Sequence, residues 1–247
     1  MAGSLSAALF PMEENYRMTM IRIAGRTAAA LAISCLSLTT ALAKDETKRV
    51  SAAAKVIQEI AVAPKKGIPP AMLKNASAIA IFPGAAKTDF MVSGKQADGM
   101  LLVHDGKGKW SAPVFAGLGG GTLGWQVVAG PMDIILVFKN RKSIDEVLKG
   151  KFTMNARQAV VIGPVGQSLK AASSEEQAAD ITTYTRVKGA FRDATVAGST
   201  IQIDDAANGA FYGIPKVRSA DIFSGSIETK SDDVRNLQKL LSDYAGR

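Results

Sequence analysis

The sequence predicts an α+β protein: a mostly antiparallel β-sheet or barrel-like core flanked by N-terminal and C-terminal amphipathic helices. Three observations predict it. Apolar residues recur at spacings of three and four after Lys44 and again after Ser231, the period of a helix with one buried face. Between these segments lie short apolar runs separated by glycine, which read as strands. Those runs mostly follow one another directly, which argues for antiparallel neighbours and against alternating βαβ units.

The elements follow in order. Lys44 to Ala61 places Val50, Ala53, Ala54, Ile57, Ile60 and Ala61 on one helical stripe, with Lys48, Arg49, Lys55 and Glu59 on other faces. Pro64-Lys65-Lys66-Gly67 ends it, because proline cannot continue a helix. Pro69-Pro70 opens a short turn or helix through Lys74. Strands are expected at Ala78–Phe82, Gly99–His104, Ser111–Phe115, Thr122–Ala129, Asp133–Lys139, Ala159–Ile162, Thr182–Lys188 and Thr195–Ile203. Ser143 is expected to cap a short helix through Leu148. Ser231 with Asp232-Asp233 opens the terminal helix, since acidic residues suit the positive end of the helix dipole. Its buried stripe is Val234, Leu237, Leu241 and Tyr244.

Composition narrows the functional classes. The chain has 247 residues, 47% hydrophobic and 21% charged, with one Cys, one His and a formal net charge of +8. That is too apolar for a disordered chain. One cysteine excludes a disulfide framework, and one cysteine with one histidine argues against structural zinc. No cofactor or metal is expected. No apolar run reaches the ~18 residues of a spanning helix.

Residues 20–43 have the order of a signal peptide: Arg22 and Arg26, the apolar run from Thr27 to Leu38, then Ala41-Leu42-Ala43, with cleavage expected before Lys44. Residues 1–19, with Glu13 and Glu14, do not suit a signal start and read as an upstream misreading or an unstructured extension. Residues 44–247 are then a single exported, periplasmic domain. Lipidation at Cys35 is the alternative route, although Ala32 stands where a lipoprotein signal places a leucine-like residue.

Catalytic motifs fail on context. Gly119-Gly120-Gly121-Thr122-Leu123-Gly124 matches a dinucleotide fingerprint, but Trp125-Gln126-Val127-Val128 continues as a strand where a helix should open. The glycines fit close strand packing better. A hydrolase would have to be built on His104 alone. The basic residues carry more. Strand periodicity puts Tyr184, Arg186 and Lys188 on one face, next to a tip with Phe191 and Arg192. Lys139-Asn140-Arg141-Lys142 forms a second cluster, and Lys65-Lys66 with Lys74 a third. Each alone fits an ordinary solvated surface. Together with the net charge they point to an anionic partner, a phospholipid or membrane surface, and export disfavours nucleic acid. The alternative is a structural or protein-interaction module of the envelope using the same basic face, its protein partners unspecified.

A series of motifs resembles the SYLF domain: Ala78-Ile79-Ala80-Ile81-Phe82-Pro83, Gly99-Met100-Leu101-Leu102-Val103, Trp110-Ser111-Ala112-Pro113, Gly119 to Gln126, Gly163-Pro164-Val165-Gly166, Tyr184 to Gly189, and Asn208-Gly209-Ala210-Phe211-Tyr212-Gly213. The resemblance implies non-catalytic binding of acidic phospholipids, phosphoinositides in the eukaryotic members, some of which also bind actin. It implies too a structural alternative for Arg186, paired with a buried carboxylate. Gln167 stands where the family commonly has a basic residue, and Ala190 departs from its Gly-Leu-Phe tip.

Overall fold

A computed structural model describes residues 45–61, 67–85, 96–120, 132–154, 159–161, 179–187, 190–192 and 198–247. A helix over 45–61 (α1) and a short helix Pro70–Lys74 (α2) precede the strands. The strands are β1 (Ala78–Ala85), β2 (Ala97–Val103), β3 (Val114–Gly119) and β4 (Met132–Phe138), followed by helix α3 (Arg141–Leu148). Next come β5 (Lys151–Thr153), β6 (Ala159–Val161), β7 (Ile181–Val187), β8 (Ala190–Arg192) and β9 (Thr200–Ile203). Helices α4 (Asp205–Tyr212), α5 (Ser219–Phe223) and α6 (Asp232–Ala245) close the chain.

All nine strands among the described residues belong to one sheet, in the order β5-β9-β3-β2-β1-β4-β7-β6, with β8 paired to β7. Every described pairing is antiparallel except β6 with β7. Central β1 pairs Ala78 with Val103 of β2 and with Phe138 of β4. Its successive side chains enter two different cores. Ile79 and Ile81 join Met100, Leu102, Ile135, Val137 and the α1, α2 and α6 stripes. Ala78, Ala80 and Phe82 join Leu101, Ile134, Leu136 and Phe138 with Ile144 and Val147 of α3. Burial on both faces explains why these strands read as unbroken apolar runs.

The fold is the α+β class expected, with the predicted amphipathic helices at both ends and both predicted stripes buried. One glycine is required by close approach: a Cβ on Gly99 would lie 2.4 Å from the Ile81 carbonyl oxygen and 2.3 Å from Phe82 Cδ1.

Several boundaries differ from expectation. The strand expected from Ser111 begins at Val114. Pro113 has no N–H for a ladder, while Ser111 Oγ accepts from Val103 N and donates to the Ala112 carbonyl. The helix expected from Ser143 begins at Arg141, capped by Asn140, whose Oδ1 accepts from Ser143 N at 3.1 Å. Asparagine three positions earlier satisfies that donor, so Ser143 lies inside the first turn. Ser231 occupies the N-cap of α6 without a side-chain capping bond. Asp204 caps α4 by accepting from Ala207 N at 2.9 Å, a helix absent from the sequence reading. The last strand begins at Thr200. The Thr122–Ala129 strand and residues 1–43 lie outside the described residues.

Candidate functional site

The Lys139–Lys142 cluster turns the chain from β4 into α3. Two ties fix it: Lys139 N donates to the Asp180 carbonyl at 2.9 Å, and Asn140 Nδ2 donates to Asp180 Oδ1 at 2.6 Å. Asn140 therefore braces the turn and caps the helix together. The first turn of α3 has no acidic residue. It carries Arg141 and Lys142, both exposed, at the end where the helix dipole is positive. Cations there are unfavourable by about 0.3–1 kcal/mol each. Helix stability does not account for that placement. Arg141 offsets part of it by pairing with Asp145 at 3.3 Å.

Arg141 also lines a cleft of about 590 Å³ with His104, Asp105, Lys109, Trp110 and Glu228. Its floor is built by the turn between β2 and β3. Asp105 Oδ1 accepts from Lys107 N at 2.7 Å and Lys109 N at 2.9 Å. These backbone donors hold the Asp105 carboxyl below the usual carboxylate range. His104 and Trp110 face each other across an isolated bridge with ring centroids 4.7 Å apart. Neither His104 Nε2 nor Trp110 Nε1 has a hydrogen-bond partner among the described residues. From α6, Gln238 Nε2 donates to the Trp110 carbonyl and Ser242 Oγ to the Gly108 carbonyl, both at 2.9 Å.

The β7 cluster is different from its sequence reading. Arg186 is not on a free face: it is 6% exposed. Its Nη2 donates to Glu59 Oε2 of α1 at 2.7 Å and to Asp133 Oδ2 of β4 at 2.8 Å, and its Nε donates to Asp133 Oδ2 at 3.1 Å. The period-2 pattern placed Arg186 with Tyr184 correctly, but α1 covers that face. Arg186 is thus structural, as the resemblance's alternative had it, although its partner carboxylates are only partly buried, and the reading of it as a lipid-facing cation is corrected. Phe191 and Arg192 occupy β8, whose backbone pairs Phe191 with Arg186 and Arg192 with Thr185. Their side chains, together with Lys188, Lys65 and Lys66, lie outside the described residues.

A further cluster escaped the sequence reading. Glu46, in the first turn of α1, is 1% exposed. Arg49 contacts Glu46 Oε2 at 3.1 Å, Asp98 Oδ2 of β2 at 3.5 Å and Asp204 Oδ2 at 3.7 Å. One guanidinium thus serves three carboxylates. Burial pushes the Glu46 carboxyl up to about 7; Arg49 opposes this, while Asp204, Asp98 and Asp45 add to it. The Glu46–Arg49 spacing reads as an ordinary surface helical pair, so no local signal marked it.

Fold and surface together define a class: an α+β module built on one sheet sealed on both faces, with a basic shoulder beside a polar cleft. Among the described residues there is no group of His, Cys, Asp and Glu suited to a metal ion, and no helix long and apolar enough to cross a membrane. The chain belongs to the Ysc84 family, described as Las17-binding protein actin regulator, whose profile matches residues 119–244. The SYLF resemblance is borne out by that match. Among relatives, SH3 domain-containing YSC84-like protein 1 of Bos taurus is 29% identical over 211 residues, covering 81% of this chain and 59% of the relative. The Xenopus laevis protein of the same name is 25% identical over 78% of this chain and 58% of its own length. Protein YSC84 of Saccharomyces cerevisiae is 30% identical over 75% of this chain and 40% of its own. The chain therefore spans less than two thirds of each of these relatives.

Proposed function

We propose that this chain is a non-enzymatic module that binds anionic phospholipid through the basic shoulder at the start of α3. One observation carries the reading: Arg141 and Lys142 stand exposed in a helical first turn that has no acidic residue. A phosphate headgroup there meets two cations and the positive end of the helix dipole. The family membership and the net charge of +8 support the same reading. Each cation near an anionic surface contributes about 1 kcal/mol, which salt screens.

Co-sedimentation with phosphatidylglycerol-containing vesicles and with phosphatidylcholine vesicles tests it. Binding is expected to the anionic vesicles and to fall with added salt. The double variant R141Q/K142Q is expected to weaken it roughly tenfold with an unchanged circular dichroism spectrum. Equal binding to both vesicle types, or a folded double variant at full affinity, would remove the shoulder from the account.

A second reading is a protein-interaction module using the same surface. It is favoured by the family description and by the name of a Saccharomyces cerevisiae relative, LAS seventeen-binding protein 3. A chain that ignores anionic vesicles yet is captured by an acidic protein surface in a salt-dependent way would favour it. Localisation belongs to the same proposal. Ala41-Leu42-Ala43 leads us to expect periplasmic recovery from a Gram-negative host, with the chain beginning at Lys44. Intact mass reads this directly, and a lipid adduct on Cys35 would replace soluble export with membrane anchoring.

A further inference from the structure

The two ends of α1 are held by different chemistry. Near its C-terminal end, Glu59 meets Arg186, a buried cation hydrogen-bonded by both Glu59 and Asp133. Near its N-terminal end the arrangement is reversed. The buried group is a carboxylate, Glu46, and its cation is shared. Arg49 lies 3.1 Å from Glu46 Oε2, but that oxygen receives no hydrogen bond among the described residues. The same guanidinium reaches Asp98 of β2 and Asp204 at the cap of α4, and its carbon lies 5.8 Å from the centroid of the Phe115 ring. Asp45 adds a further negative charge on the same turn, partly offset by Lys48 at 3.0 Å. An ionised Glu46 is thus buried, has one oxygen without a donor among the described residues, and competes with Asp98 and Asp204 for one cation. A buried charge so placed is unfavourable, and a neutral carboxyl in the same position costs less.

We propose that the Glu46–Arg49–Asp98–Asp204 cluster is a pH-operated latch on the first turns of α1, closed when Glu46 is protonated and loosened when it ionises. The direction follows from linkage. The docked carboxyl keeps its proton to about pH 7, whereas an opened, solvated Glu46 loses it near the ordinary glutamate value of about 4.3. Docking is therefore strongest in acid and weakens as pH rises through that interval, levelling off above it. Opening at this end uncovers Val50 and Ala53, which are fully buried when the helix is docked, while the Arg186 clamp continues to hold the other end.

Hydrogen exchange on the full chain tests the latch. After correction for the base catalysis of exchange itself, opening of the first turns of α1 is expected to rise about tenfold between pH 6 and 8. Glu46→Gln, an uncharged stand-in for the protonated acid, should abolish that rise and keep the closed behaviour at both pH values. Glu59→Gln should leave the rise in place. A carbon-13 titration of the Glu46 carboxyl in the unmodified protein gives a reading that does not depend on any variant folding, with a midpoint expected near 7. A midpoint in the ordinary carboxylate range would overturn the proposal. So would opening that is independent of pH, or a Glu46→Gln protein that opens with the same pH dependence as the unmodified one.

Discussion

The Arg186 guanidinium joins three elements by holding Glu59 of α1 and Asp133 of β4 from its place on β7. Replacing it with methionine leaves both carboxylates without their cation. Breaking a buried pair from one side costs about 3–5 kcal/mol, and the partial exposure of Glu59, 43%, puts the expected loss near the lower end. Urea denaturation of Arg186→Met measures it. The folded fraction should keep its binding to anionic vesicles, since the basic shoulder lies on another element. Gly99 sets a second residue-scale limit. Its missing Cβ is what lets β2 lie against the Ile81 carbonyl and the Phe82 ring. Gly99→Ala is expected to destabilise the domain by about 1–3 kcal/mol through overpacking, read as a lowered urea midpoint with an unchanged m-value.

At the scale of elements, α3 joins fold and proposed function. Its Ile144 and Val147 seal one face of the sheet, its first turn carries Arg141 and Lys142, and Asn140 sets the angle at which the two roles meet. Asn140→Ala removes both the cap to Ser143 and the tie to Asp180. A lost cap costs about 1 kcal/mol. The variant is expected to melt earlier and to bind anionic vesicles more weakly than that loss of stability explains, because the shoulder is no longer held in one geometry. Vesicle binding measured well below the melting temperature separates the two effects. Equal affinity there would show that the cations act without the cap. The helix was legible from Ile144, Val147 and Leu148 at helical spacing; its cap was not. Both Asn140 and Ser143 are good capping residues, and the choice rested on which oxygen faced the free N–H.

For the molecule as a whole, alkaline pH probes the shared core. Burial pushes the phenols of Tyr184, Tyr212 and Tyr244 above the usual tyrosine range. The folded protein holds these protons beyond the pH at which the unfolded chain releases them, so stability should fall as pH rises above about 10. Of the four tyrosines in the chain, these three should form phenolate only as the circular dichroism changes; more than one phenolate forming with the fold intact would contradict this burial. The melting temperature should be unmoved by a chelator, because one Cys and one His in the whole chain offer little to a metal. A loss of several degrees, restored by a divalent cation, would reveal an oxygen-ligand site. The sequence by itself determined the α+β class, the two helical stripes, the apolar runs of β1, β2 and β4 and the alternating strand β7, since burial of a helix or strand face is written into residue period. It also placed Arg186 on the same strand face as Tyr184. What lay across from that face was decided only by tertiary structure, which brings Glu59 to Arg186 over 127 positions of chain and sets Asp98 and Asp204 around the Glu46–Arg49 pair. A charged side chain reads the same in sequence whether it faces water or a buried partner, because the difference lies in which distant segment closes over it.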